Sequence, residues 1–141
     1  MKIQKTISLE NLNSFIDEIL EFSDECKIFL LKGDLASGKT TFVQEFAKKL
    51  GLKDDVTSPT FSIQQTYGDK FFHYDIYQNG TENFISSGLL EELDADGYHM
   101  IEWADQKLEK ILEAYMYDFI KVKIEKADDK NRKYEVTKCI H

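Results

Sequence analysis

Arginine is almost missing from this chain: of 18 basic residues among 141, only Arg132 is one. Proline occurs once, at Pro59, tryptophan once, at Trp103, and cysteine twice, at Cys26 and Cys139. The two cysteines are far apart and lack CxxC spacing, which argues against a disulfide framework or zinc site and for free thiols in a reducing, cytoplasmic setting. No apolar run approaches a membrane span, and Met1 to Thr6 carries no apolar signal segment, so no membrane partner is expected. With 26 acids the net charge is −8. Direct nucleic-acid binding, which depends on phosphate neutralisation by Lys and Arg, is disfavoured. There is no repeat, low-complexity tract or linker, and 42% hydrophobic content at this length builds one core, a single domain over residues 1–141.

What is present centres on Gly33-Asp34-Leu35-Ala36-Ser37-Gly38-Lys39-Thr40-Thr41, a match to the phosphate-loop pattern G-x-x-x-x-G-K-[ST]. In this pattern the glycines let successive backbone N–H groups turn toward a polyphosphate, Lys39 reaches the outer phosphates, and the Thr40 hydroxyl can ligate Mg²⁺. The flanking segments suit it. Lys27-Ile28-Phe29-Leu30-Leu31 reads as a short buried strand entering the loop. Phe42, Val43, Phe46, Ala47 and Leu50 share one face of a helix leaving it, with Gly51 as its stop.

Upstream, residues 2–7 predict a strand and Ser8 an N-cap, followed by a helix that packs Leu9, Leu12, Phe15, Ile16, Ile19 and Leu20 on the sheet. Downstream, Asp54 to Ser62 is a polar loop. It offers Thr57, Ser58 and Thr60 as switch-loop contacts to a γ-phosphate or its Mg²⁺, with an ordinary helix-to-strand connection as the alternative. Phe61 to Tyr67 and Lys70 to Tyr77 predict two strands joined at Gly68-Asp69. The second contains Phe71-Phe72-His73-Tyr74-Asp75, an apolar run ending in an acid, the form of a Walker-B-type strand. After an irregular excursion over 79–97, helical only about Gly88 to Leu93, the stretch Gly97 to Trp103 repeats that form and ends at Glu102.

Two strand-end carboxylates in a chain with a phosphate loop point to a metal-holding or water-orienting role. Spacing leaves open which acid holds the metal, because sheet order decides it. Trp103 is either core or an aromatic wall at the site mouth. His73 and His99 have no ligand spacing and read as satisfied core histidines. The chain closes with a helix bearing Leu108, Ile111, Leu112 and Tyr115 on one face. A hairpin follows, in which Ile120, Val122 and Ile124, then Tyr134, Val136 and Ile140, alternate with polar residues. The predicted fold is α/β and P-loop NTPase-like: a mainly parallel sheet flanked by helices, with this antiparallel hairpin at its edge in a structural role and ligand at the C-terminal strand ends.

The scarcity of arginine bears on reaction class. Small phosphate-loop kinases clamp the transferring phosphoryl group with several positive groups, usually lid arginines, and Arg132 is remote in sequence from every motif. No N-K-x-D-like segment supplies a guanine-reading acid, which favours ATP over GTP. A slow ATPase completed by a partner remains, with a metabolite kinase and a nucleotide-binding switch without hydrolysis as alternatives.

Gly33 to Phe42, Thr57-Ser58-Pro59-Thr60-Phe61, His73-Tyr74-Asp75-Ile76-Tyr77 and Ile101-Glu102-Trp103 together resemble the bacterial TsaE (YjeE) family in order and spacing, from about residue 8 to residue 103. The resemblance implies an ATPase accessory subunit for N6-threonylcarbamoyladenosine synthesis in tRNA. Such a subunit binds the TsaD and TsaB subunits that perform the transfer, and meets tRNA only indirectly. By motif position it implies phosphate contacts from Gly33 and from Ala36, Ser37, Gly38, Lys39, Thr40 and Thr41. Thr40 and Glu102 then look like Mg²⁺ ligands, Asp75 like the second essential acid, Thr60 like the switch-loop threonine, and Trp103 like the aromatic near the site. Lys39, Asp75 and Glu102 are the implied catalytic set, and adenine contacts would fall around Ser8 and Leu9. The chain departs from the family at Ala36, where glycine is frequent, at Gln78, where arginine is frequent, and at Ala104, where proline is frequent.

Overall fold

The apolar run Ile28-Phe29-Leu30-Leu31 is buried along its whole length, as a strand in the middle of a sheet covered on both faces must be. It forms most of β2 (Ile28–Lys32) in a computed structural model that describes residues 1–34, 36–52, 64–67, 70–77 and 80–140. The other strands are β1 (Lys2–Ser8), β3 (Gln64–Tyr67), β4 (Phe71–Asp75), β5 (Tyr98–Glu102), β6 (Phe119–Lys126) and β7 (Asn131–Cys139). All lie in one sheet of order β1-β7-β6-β2-β5-β4-β3. Its centre is parallel, with β6 and β5 on either side of β2 and β4 beyond β5. Antiparallel pairs flank this centre, β3–β4 on one side and β6–β7 and β1–β7 on the other, so that β1 and β3 are the edge strands.

Helices cover both faces. α1 (Leu12–Ser23) buries Leu12, Phe15, Ile16 and Ile19, the spacing of one helical face. It shares a core with Phe42, Val43 and Phe46 of α2 (Lys39–Lys49) and with Phe29 and Leu31 of β2. The alternate β2 residues, Ile28 and Leu30, pack in a second core with Phe84 of α3 (Gly80–Ser86), Leu89 and Leu90 of α4 (Leu89–Glu92), and Leu108 and Leu112 of α5 (Gln106–Ala114). This division follows from the two-residue period of a strand. Burying each of these large apolar side chains contributes about 2 kcal/mol. The α5 start is fixed by Asp105, whose carboxylate accepts hydrogen bonds from the Leu108 N–H at 2.8 Å and the Thr81 hydroxyl at 2.6 Å.

Three expectations change. The C-terminal hairpin pairs antiparallel as predicted, but it is not the margin of the sheet: β6 lies against β2, and β1 covers β7. The true edge, β1, is mostly exposed and carries Lys2 and Lys5, charges that discourage further strand pairing. The excursion after residue 79 contains a helix, α3, as well as the expected short one. Its inward face is Thr81, Phe84 and part-buried Ile85, too brief a pattern to read in advance. Leu9, expected on the sheet, lies in a 3-10 turn (Leu9–Asn11) and is 64% exposed. The switch-loop residues Thr57, Ser58 and Thr60, the Gly68-Asp69 turn and Gln78 lie outside the described residues.

Candidate functional site

Because β2, β4, β5 and β6 run parallel, the loop leaving β2 and the acids ending β4 and β5 come to one end of the sheet. β5 is the neighbour of β2, so Glu102 stands in register with Leu31, while Asp75 stands in register with Glu102 one strand farther out. In that order Glu102 is the acid adjacent to the loop between β2 and α2. The Thr40 hydroxyl lies 3.3 Å from both Glu102 carboxylate oxygens.

The loop is bounded by two glycines that its geometry requires. A Cβ on Gly33 would stand 2.4 Å from Ser37 Oγ and 2.5 Å from the Ile124 carbonyl oxygen, so the loop seats directly on β6. Gly38 caps α2 with φ 113°, a conformation other residues resist, and hands the chain from the loop into the N-terminus of the helix. Ala36 has φ 62°, the left-handed region, which explains why glycine suits that position.

Lys39, only 5% exposed, donates to the carbonyl oxygens of Gly33 and Asp34, the latter at 2.9 Å. Its Nζ also lies 3.8 Å from the centroid of the Trp103 ring. Burial pulls the ammonium below the usual lysine range, against the opposing pull of Glu102, Asp34 and Asp75. Trp103 is held at φ 65°, a strained position for a bulky residue, with its ring 4.5 Å from that of half-exposed Tyr77. It packs partly buried on the second core and also lines the cavity beside the loop. Burial pushes the Asp75 carboxyl up, opposed by the Tyr77 N–H it accepts at 3.0 Å, and nearby Glu102 raises it further.

Two residues belong to the site that the sequence did not assign to it. His73, fully buried, places Nε2 2.5 Å from Glu102 Oε2. His99, the other predicted core histidine, is bound only to structural partners: the Tyr74 hydroxyl at 2.8 Å and the Ala95 carbonyl at 2.8 Å. Arg132, remote in sequence, donates from Nε to the Ser37 carbonyl at 3.0 Å. No local pattern signals either contact; each requires knowing which strands are neighbours.

A cavity of about 330 Å³ is lined by residues 36–41 with Asp75, Tyr77, Glu102, Trp103 and Arg132. A smaller one of about 170 Å³ shares Gly38, Thr41 and Arg132 with it and adds Ile7, Ser8, Leu9, Leu12 and Tyr134. Ser37 Oγ is buried with no hydrogen-bond partner among the described residues. An orphaned hydroxyl beside an ammonium and a helix N-terminus is suited to an anion. Glu102, Thr40 and Asp75 offer hard oxygen donors, which suit Mg²⁺. Among the described residues no group of three or more His, Cys, Asp or Glu is arranged to hold a metal. Such sparse ligation is usual for Mg²⁺, which keeps waters and takes phosphate oxygens.

The family model for "Threonylcarbamoyl adenosine biosynthesis protein TsaE" matches residues 6–134. The chain belongs to the TsaE family. A relative from Bacillus subtilis, named as the tRNA threonylcarbamoyladenosine biosynthesis protein TsaE, is 31% identical over 136 residues, covering 94% of this chain and 83% of its own. A TsaE from Borreliella burgdorferi is 44% identical over 82 residues, 55% of this chain and 59% of its own. The crystal structure of Bacillus subtilis YdiB superposes with a TM-score of 0.70 at 26% identity, covering all of this chain and 87% of that one. TsaE proteins are thus named for threonylcarbamoyladenosine biosynthesis, and the span matched by the family model includes both the β2–α2 loop and the strand-end acids. No helix among its described residues is long and apolar enough to cross a membrane.

Proposed function

We propose that this TsaE chain is a P-loop NTPase-like, Mg²⁺-dependent ATPase of low intrinsic rate, an accessory subunit to threonylcarbamoyl transfer onto tRNA adenosine by TsaD and TsaB in the cytoplasm. The observation that carries the reading is the convergence of Lys39, Thr40, Glu102 and Asp75 around the loop between β2 and α2. The triphosphate would lie along the loop against Gly33, Ala36 and the N–H groups that open α2, with Ser37 and Thr41 beside them. The nucleoside would extend toward Ser8 and Leu9 through the adjoining cavity. Lys39 would exchange the Gly33 and Asp34 carbonyls for phosphate oxygens, gaining a charged partner for an ammonium that burial disfavours.

Thr40 and Glu102 would hold Mg²⁺, which when bound neutralises charge developing on the phosphates. His73 fixes Oε2 of Glu102, so the carboxylate meets the loop in one orientation. Asp75, with its carboxyl raised by burial, is the candidate to orient the attacking water, and Thr60 the candidate switch-loop contact. Trp103 walls the seat from solvent. The sole arginine binds backbone carbonyls, leaving no lid of arginines to clamp a phosphoryl group in flight, which disfavours a metabolite kinase. The acidic surface suits a subunit that meets protein partners and leaves tRNA to them.

Hydrolysis of Mg-ATP with and without TsaB and TsaD tests the proposal. Slow turnover raised by the partners is expected. Phosphoryl transfer to an added metabolite would instead indicate a kinase, and tight binding without turnover in either condition would indicate a switch.

A further inference from the structure

The hairpin of β6 and β7 touches the phosphate loop at two points. The Ile124 carbonyl abuts Gly33, and the Arg132 Nε donates to the Ser37 carbonyl at 3.0 Å. Arg132 is itself fixed to the hairpin tip, with Nη1 3.1 Å from the carbonyl oxygens of both Asp128 and Asn131. That tip is stiffened by the Asp128 carboxylate, which accepts from the Lys130 N–H at 2.8 Å, the Asn131 N–H at 2.9 Å and the Asn131 side-chain amide at 3.0 Å. In a planar trans peptide the carbonyl and the following N–H point in opposite directions. A group gripping the Ser37 carbonyl therefore decides where the Gly38 N–H points.

We propose that Arg132 is a positioning residue for anion binding: by holding the Ser37 carbonyl from the hairpin side, it fixes the Ser37–Gly38 peptide with its N–H toward the phosphate seat. The proposal rests on the nucleotide-binding reading and adds a role for a hairpin that the sequence assigned only to structure. It also accounts for the one arginine in the chain. Its planar fork reaches carbonyls on two separate segments at once, whereas a lysine offers only a compact point charge. The part-buried bond to the Ser37 carbonyl is made before ligand arrives, so this peptide needs no reorientation on binding.

The test is calorimetric titration of ADP into wild-type protein, Arg132→Ala, Arg132→Lys and Lys39→Ala. It is paired with the amide chemical shift of Gly38 in ¹⁵N-labelled samples before and after ADP. We expect Arg132→Ala and Arg132→Lys to weaken ADP by about tenfold, as loss of an aligned donor to a charged ligand does. The melting temperature should stay near wild type in at least the lysine variant, and the ADP-induced Gly38 shift should be lost in both. ADP affinity within twofold of wild type in the lysine variant would overturn the proposal. So would weakened affinity with the Gly38 shift intact, which would mean that Arg132 touches phosphate directly. Wild-type protein that fails to bind ADP would overturn the nucleotide reading itself. Binding by wild type that is lost in Lys39→Ala but unchanged in the Arg132 variants would leave that reading standing and remove only this one.

Discussion

Two buried histidines one strand apart serve the two ends of the parallel sheet differently. His99 on β5 stacks on Phe72, accepts the Tyr74 hydroxyl proton at Nδ1 and donates from Nε2 to the Ala95 carbonyl. Every polar atom it has is used by the fold. His73 on β4 is as deeply buried, yet its Nε2 faces Glu102, whose other contact is Thr40 of the phosphate loop. Similar residues in similar strands thus differ in what lies at the end of their hydrogen bonds: one chain ends in backbone, the other in a carboxylate beside the β2–α2 loop. Burial alone does not separate a structural histidine from a functional one. The partner's partner does.

The largest expected effect is at the loop. Lys39→Ala should weaken ATP binding by about a hundredfold or more, since it removes the ammonium held at the proposed phosphate seat. Equilibrium binding measures this, and a loss below threefold would break the assignment of the loop end as the site. The histidines give the next contrast. His99→Ala should cost about 3 kcal/mol of stability, through a cavity and two unpaired polar groups, with activity per folded molecule unchanged. His73→Ala should instead lower turnover by about tenfold, as loss of a ligand-orienting partner does. Denaturant melts and single-turnover rates read both variants, and equal losses of activity from the two would erase the distinction.

A smaller effect comes from pH. Burial holds His99 below its ordinary value of 6.5. The unfolded chain therefore binds this proton more readily than the folded one. The stability His99 contributes is complete above about pH 6.5 and is lost as pH falls toward the depressed folded value. Melting temperature between pH 7.5 and pH 5 should decline in wild type and flatten in His99→Phe, where nothing titrates at that position.

The turn between β2 and α2, the strand before it and the helix after it were legible because each is a local pattern: a glycine spacing, an apolar run and a helical face. The strand-end acids were legible for the same reason, each closing a run of buried residues. The pairing of Glu102 with Thr40 was not, because it depends on β5 standing next to β2. Arg132 is remote in sequence, 95 residues from Ser37, and its contact was not legible because only the fold of β7 back across β6 closes that gap. The hairpin's alternation announced one wet face correctly but said nothing of β1, whose pairing with β7 makes β1 the edge. Helix α3 escaped notice because two buried residues in seven give no measurable period.

The central claim is that the β2–α2 loop and Glu102 form one Mg²⁺-nucleotide site. It is tested most directly by the affinity for ATP measured across a Mg²⁺ titration in wild type and Glu102→Gln. The account predicts that wild type tightens with Mg²⁺, while Glu102→Gln binds ATP as wild type does without metal and gains little when metal is added. Equal Mg²⁺ dependence in the two proteins, or no ATP binding by wild type, would contradict it.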